Sequence, residues 1–139
     1  MQPDDSLAKG NEMNKQKILI ADDESEFLDL LKMILEGKGF EVCTTHDGEE
    51  ALKMFKEDPP DVVLLDIDMP KLNGINTLKA IRDDDRDVPI FMLTAFMDGE
   101  WIKAAKESGA SGFILKMYDL QKAIEQITNM LEFRRKSHG

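Results

Sequence analysis

Val62-Val63-Leu64-Leu65-Asp66 decides the fold of this chain. Four apolar residues run together without polar alternation and stop on a carboxylate. A strand with one wet face alternates apolar and polar residues. A strand covered on both faces, as in a parallel sheet flanked by helices, reads as an unbroken apolar run. The same signature recurs on either side of this stretch. Ile18-Leu19-Ile20-Ala21 stops on Asp22-Asp23, Ile90-Phe91-Met92-Leu93 stops on Thr94, and Phe113-Ile114-Leu115 stops on Lys116. A further strand is expected over about 40–44, around Val42 and Cys43.

Helical patterns fill the intervals. Phe27, Leu28, Leu31, Ile34 and Leu35 recur at helical spacing over about 24–37, with Gly37 and Gly39 as a stop. Asp47-Gly48-Glu49-Glu50 opens a second helix over Ala51, Leu52 and Phe55, closed by Pro59-Pro60. Further helices are expected at about 72–83, 98–107 and 119–135. The last carries Leu120, Ala123, Ile124, Ile127 and Leu131 on one stripe. Strands alternating with helices predict an α/β domain with a parallel sheet between helical layers. Residues 1–16 read as a flexible N-terminal tail, 17–135 as the domain and 136–139 as a C-terminal tail.

At 139 residues there is room for one domain with a sizeable core. Eighteen Lys and Arg against 28 Asp and Glu leave a formal charge of −10, which disfavours direct nucleic-acid binding. No apolar run approaches a membrane span, and the first sixteen residues lack the apolar segment of a signal peptide. A cytoplasmic protein without membrane insertion is expected. Cys43, the single cysteine, reads as a small buried hydrophobe.

Parallel strands ending on Asp22, Asp23, Asp66, Thr94 and Lys116 bring three carboxylates, a hydroxyl and an ammonium to the carboxyl edge of the sheet, where open α/β sheets form their sites. Clustered carboxylates repel one another, so the set asks for a hard divalent cation such as Mg²⁺. A carboxylate beside such an ion can attack phosphorus and form an acyl phosphate. A lysine supplies a point charge and a threonine a hydroxyl donor for the phosphoryl oxygens. A single strand-end Asp is more often a helix cap. Five such polar residues at strand ends in one short chain reverse that weighting.

These residues resemble the CheY-like receiver domain of response regulators in two-component signalling. The resemblance spans about residues 17–133. It rests on Ile-Leu-Ile-Ala-Asp22-Asp23-Glu24, on Leu-Leu-Asp66-Ile-Asp-Met69-Pro70-Lys-Leu-Asn-Gly74, on Met-Leu-Thr94-Ala95 and on Gly-Ala110-Ser-Gly112-Phe113-Ile-Leu-Lys116. It implies a flavodoxin-like, doubly wound sheet of five parallel strands in order 2-1-3-4-5 with five helices. It implies that Asp66 is the phosphoacceptor for a phosphohistidine on a sensor histidine kinase or phosphotransfer protein. Mg²⁺ would be held by Asp23, Asp66 and the backbone carbonyl of Asp68, with Asp22 acting mainly through water. Thr94 and Lys116 would bind phosphoryl oxygens, and Thr94 with Phe113 would form the switch. A downstream protein target and a phosphorylation-dependent homodimer follow from the same resemblance, with no catalysis beyond the domain's own phosphoryl uptake and loss.

Met117 stands where the family usually has proline. A cis bond without proline costs about 2.5–4 kcal/mol, so a trans Lys116–Met117 bond is expected. Asp68 and Phe96, each two residues beyond a site residue, flank the expected phosphoryl group. Three other readings compete. The chain is a receiver fragment of a longer regulator or hybrid kinase. Alternatively, Asp66-Ile67-Asp68 is the Asp-x-Asp nucleophile motif of a haloacid-dehalogenase-type phosphatase, although there an acidic metal pair normally follows that motif, and here Asp22-Asp23 precede it. A flavin-binding protein of the same fold would need a phosphate-cradling loop where this chain has Asp22-Asp23-Glu24. His46 and His138 lack ligand-spaced partners, and Trp101 and Tyr118 read as packing or partner-surface residues.

Overall fold

The computed structural model describes residues 15–67, 69, 73–95, 99–116 and 120–138. Five strands alternate with five helices: β1 Lys17–Ala21, α1 Ser25–Gly37, β2 Glu41–Thr45, α2 Gly48–Glu57, β3 Val62–Asp66, α3 Gly74–Asp84, β4 Ile90–Thr94, α4 Gly99–Glu107, β5 Gly112–Leu115 and α5 Leu120–His138. All strand pairings are parallel, in the order β2-β1-β3-β4-β5. This is the flavodoxin-like arrangement expected from the sequence.

The unbroken apolar runs are buried on both sides. Every residue of β3 is buried, and alternate residues feed opposite faces. Ile18, Ile20, Val62, Leu64, Leu93 and Ile114 meet α1 and α5 on one face. Leu19, Ala21, Val63, Leu65, Ile90 and Met92 meet α2, α3 and α4 on the other. Each fully buried Leu or Ile contributes roughly 1.5–3 kcal/mol relative to an exposed one. Cys43, expected to be buried, is half-buried at the edge of the second cluster, and burial pushes its thiol up from the ordinary value.

Two helix ends differ from the sequence reading. The third helix begins at Gly74 rather than about 72, because Asn73 caps it and accepts the Asn76 N–H at 2.9 Å. The last helix runs to His138 rather than 135, so residues 136–138 of the expected tail are helical. No Gly or Pro interrupts the chain between Leu120 and His138. α2 starts where Asp47 was read as an opener. Its carboxylate accepts the Glu50 N–H at 2.8 Å, while Glu50 accepts the His46 N–H at 2.9 Å. Among the described residues no helix is long and apolar enough to cross a membrane.

Candidate functional site

The register sets the site. Ala21 pairs with Leu65, Asp66 with Leu93, and Thr94 with Leu115. The residues that end β1, β3, β4 and β5 therefore emerge together at one edge. They line an open pocket of about 480 Å³ with Asp23, Glu24, Asp66, Ile67, Asn73, Thr94, Ala95, Trp101 and Lys116.

Three carboxylates converge there. One oxygen from each of Asp22, Asp23 and Asp66 lies within 4.8 Å of the others. Oxygens this close together would share one hard cation, directly or through its bound water. An all-oxygen, anionic donor set fits such a cation. The three differ in setting. Asp22 is fully buried, Asp66 nearly so, and Asp23 is exposed at the mouth.

Asp22 is held on both oxygens. Oδ1 accepts the Glu24 N–H at 2.9 Å and Oδ2 accepts Lys116 Nζ at 2.6 Å. Burial raises the Asp22 carboxyl above its ordinary value, and these two donors oppose that rise. Burial likewise pulls the Lys116 ammonium down, but hydrogen bonds to Asp22 and Glu24 and the charges of Asp22 and Asp66 outweigh it. The lysine is pushed up to about 12. The ammonium is the firmer partner of the pair.

Lys116 sits among carboxylates and a ring. It bonds Asp22 and Glu24, its Nζ lies 3.6 Å from Asp66 Oδ2, and it sits 4.9 Å from the centre of the Phe27 ring. Its backbone N–H donates to the Thr94 carbonyl at 2.8 Å, which ties the end of β5 to the end of β4. Thr94 is buried beside the pocket. Phe113 is half-buried on β5, opposite Met92, and packs against the cluster shared with α3 and α4.

Gly74 fixes the loop after Asp66. Its N–H donates to the Ile67 carbonyl at 2.9 Å. A Cβ at this position would lie 2.1 Å from the Asp66 carbonyl oxygen and 2.7 Å from Ile67 Cα. Only glycine lets the start of α3 approach the β3 backbone so closely.

The structure thus brings together Asp22, Asp23, Asp66, Thr94 and Lys116, with Phe113 on β5 two residues before Leu115, the register partner of Thr94. The expected carbonyl ligand of Asp68, the Lys116–Met117 bond, Phe96 and Tyr118 lie outside the described residues. So do residues 1–14 of the expected tail. His46 is exposed beside Glu50, with no metal-ligand cluster around it among the described residues. Three participants were not assigned to the site from sequence: Glu24 and Phe27 around Lys116, and Asn73 at the pocket wall. The Asp22-Asp23-Glu24 run was the available signal for Glu24. Phe27 reads only as part of a helix stripe, and no sequence pattern pairs it with a lysine.

The family model of the response regulator receiver domain matches residues 18–128. The transcriptional regulatory protein PrrA of Mycobacterium tuberculosis is 36% identical over 118 residues, which is 85% of this chain and 51% of that protein. The DNA-binding response regulator MtrA of Mycobacterium leprae is 36% identical over 113 residues, 81% of this chain and 50% of its own length. The chain spans about half the length of these curated relatives. Among solved structures, a CheY-like response regulator receiver domain protein from Methanospirillum hungatei matches with a TM-score of 0.78 at 26% identity, covering 90% of this chain and 99% of that one. The chemotaxis protein CheY4 of Vibrio cholerae matches with a TM-score of 0.76 at 29% identity, covering 83% and 98%.

Proposed function

The chain belongs to the response regulator receiver domain family, and on that premise we propose that Asp66 accepts a phosphoryl group from a phosphohistidine on a sensor histidine kinase or phosphotransfer protein. The observation that carries this reading is one pocket lined by Asp66, Asp23, Thr94 and Lys116, with Asp22 buried against the same lysine. An Asp66 carboxylate oxygen attacks phosphorus, a P–O bond forms, and the P–N bond to the donor imidazole breaks. The imidazole leaves with the electron pair and is protonated from water.

Each neighbour has a role in that step. Lys116, at 3.6 Å from Asp66, needs only a small movement to meet a phosphoryl oxygen. Thr94 offers its hydroxyl to another oxygen. Asp23 and Asp66, with the Asp68 carbonyl, would hold Mg²⁺ directly and Asp22 mainly through water; the ion neutralises charge on the phosphoryl oxygens when bound. Thr94, drawn toward the phosphoryl group, opens space into which the Phe113 ring turns, and the face of α4, β5 and α5 changes for a downstream target or a second phosphorylated copy. Chemistry is confined to the domain's own phosphoryl uptake and loss, in the cytoplasm.

The test is intact-mass measurement after incubation with Mg²⁺ and a phosphohistidine donor. One phosphoryl group is expected on the wild type and none on Asp66→Asn, which keeps the shape and removes the nucleophile. An equal adduct at an equal rate on the variant would assign the acceptor elsewhere.

A second reading is favoured by one specific observation. The chain covers only 51% and 50% of PrrA and MtrA, which are named as transcriptional and DNA-binding regulators. In that reading this domain is the receiver part of a longer regulator, and DNA contact belongs to a segment beyond it. An in-frame DNA-binding domain in the adjoining coding sequence supports it, and a stop codon directly after Gly139 removes it.

A further inference from the structure

Glu24 occupies the N-cap position of α1, yet its side chain makes no capping hydrogen bond. The capping task near it falls to Asp22, whose Oδ1 accepts the Glu24 N–H at 2.9 Å. The Glu24 carboxylate is turned instead to Lys116 Nζ, 92 residues away in sequence. The two ends of this ion pair differ in character. The Lys116 side chain is 7% exposed, while that of Glu24 is 62% exposed. Asp22, the lysine's other close partner, is fully buried and bonded on both oxygens, so it is fixed. Asp66 Oδ2 stands further off, at 3.6 Å. The ammonium therefore rests between a buried carboxylate and a solvent-exposed one, displaced from the residue whose substituent it would bind. The Phe27 ring, 4.9 Å from Nζ, lies against it.

We propose that Glu24 is a positioning residue that holds the Lys116 ammonium in its resting place and competes with a phosphoryl group on Asp66 for it. This rests on the phosphoacceptor reading of Asp66 given above. When the phosphoryl oxygens arrive, Lys116 keeps Asp22 and exchanges Glu24 for them. Because Glu24 is solvated, its release into water is cheap, and the exchange needs no rearrangement of α1. The pocket so acquires a threshold: the phosphorylated state must outbid one local carboxylate before its lysine contact forms. Removing that carboxylate stabilises the phosphorylated state without adding any contact to it.

The experiment measures binding of beryllium trifluoride, a phosphoryl mimic, at saturating Mg²⁺ by fluorine NMR, which reads bound and free ligand separately. Glu24→Gln removes the charge, and Glu24→Asp keeps the charge but withdraws it from Lys116 by one methylene. Both are expected to bind about two- to fivefold tighter than wild type, the range set by a partly exposed ion pair. Neither disturbs a cap, and both leave the core untouched. Unchanged affinity in both variants overturns the proposal. So does tighter binding by Glu24→Gln with wild-type binding by Glu24→Asp, since then charge near the pocket acts without the contact. Asp66→Asn serves as the separate control. If it binds the mimic as the wild type does, the phosphoacceptor reading fails, whatever Glu24 does.

Discussion

Two cations sit at opposite ends of the sheet, and their partners differ in kind. At the carboxyl edge, Lys116 faces Asp22, Glu24 and Asp66, all charged. At the amino edge, Arg82 on α3 faces no carboxylate within ion-pair reach among the described residues. Its Nε donates to the Gly109 carbonyl at 2.9 Å, one terminal nitrogen donates to the carbonyls of Asp85 at 3.1 Å and Val88 at 2.6 Å, and the other to Ser111 Oγ at 3.4 Å. Ser111 Oγ in turn accepts the Ile90 N–H at 3.0 Å. Gly109 holds φ +105°, and a Cβ there would press within 3.0 Å of Arg82 Nε. The guanidinium fork thus clasps the loops entering β4 and β5 through neutral, fixed acceptors. A planar fork suits a permanent joint, whereas an ammonium on a flexible stem suits a contact that changes partner. The molecule places the cation with neutral partners in its architecture and the cation with charged partners at the site.

The largest expected effect breaks the charged end. Lys116→Met leaves Asp22 buried with no cation, and the loss is expected to be about 3–5 kcal/mol in urea unfolding without divalent metal. Mg²⁺ should then raise the stability of this variant more than that of the wild type, because the lysine no longer competes for Asp22. An equal Mg²⁺ increment in both proteins would mean that Lys116 and the cation do not share Asp22.

Arg82→Ala tests the fixed end. It strands the carbonyls of Gly109 and Val88, and a loss of about 2–3 kcal/mol is expected, as for buried acceptors left unpaired. Its Mg²⁺ increment should match that of the wild type. A changed increment would show that the two ends of the sheet communicate, and would dissolve the contrast between them.

The smallest effect is electrostatic and sharpens the comparison. Lys116 stands at about 12 in the folded protein against an ordinary 10.5. A raised ammonium stabilises fully below its unfolded value and loses that contribution as pH climbs through the folded one. The gap in unfolding free energy between wild type and Lys116→Met should therefore narrow by about 2 kcal/mol between pH 10 and pH 12.5. A gap that stays constant across that window would mean that the ion pairs around Lys116 carry no net stabilisation.

The sheet and the polar residues at its carboxyl edge were legible because they depend on local pattern. Runs such as Val62-Val63-Leu64-Leu65 are read directly as strands buried on both faces, and a parallel register then delivers Asp22, Asp66, Thr94 and Lys116 to one edge without further information. Helix ends were less legible, since Asn73 competes with the preceding residues for the cap and nothing in Arg134-Arg135-Lys136 stops a helix. The destinations of long charged side chains were not legible at all. Glu24 and Arg82 look like solvated residues on helix patterns. Their partners lie 92 and 27 residues away, and only the folded loops define them. Trp101, read as packing or partner surface, is 47% exposed and also lines the pocket.

That last placement has an optical consequence. Trp101 is the sole tryptophan in the chain, and it shares a pocket wall with Asp66 and Lys116. All indole emission from the protein therefore originates beside the carboxylates, with no background from elsewhere in the fold. Mn²⁺, which accepts the same all-oxygen donor set as Mg²⁺, is paramagnetic and quenches nearby fluorophores. The native chain is thus its own dosimeter for events at the edge of the sheet, readable in a cuvette without label, tag or added chromophore.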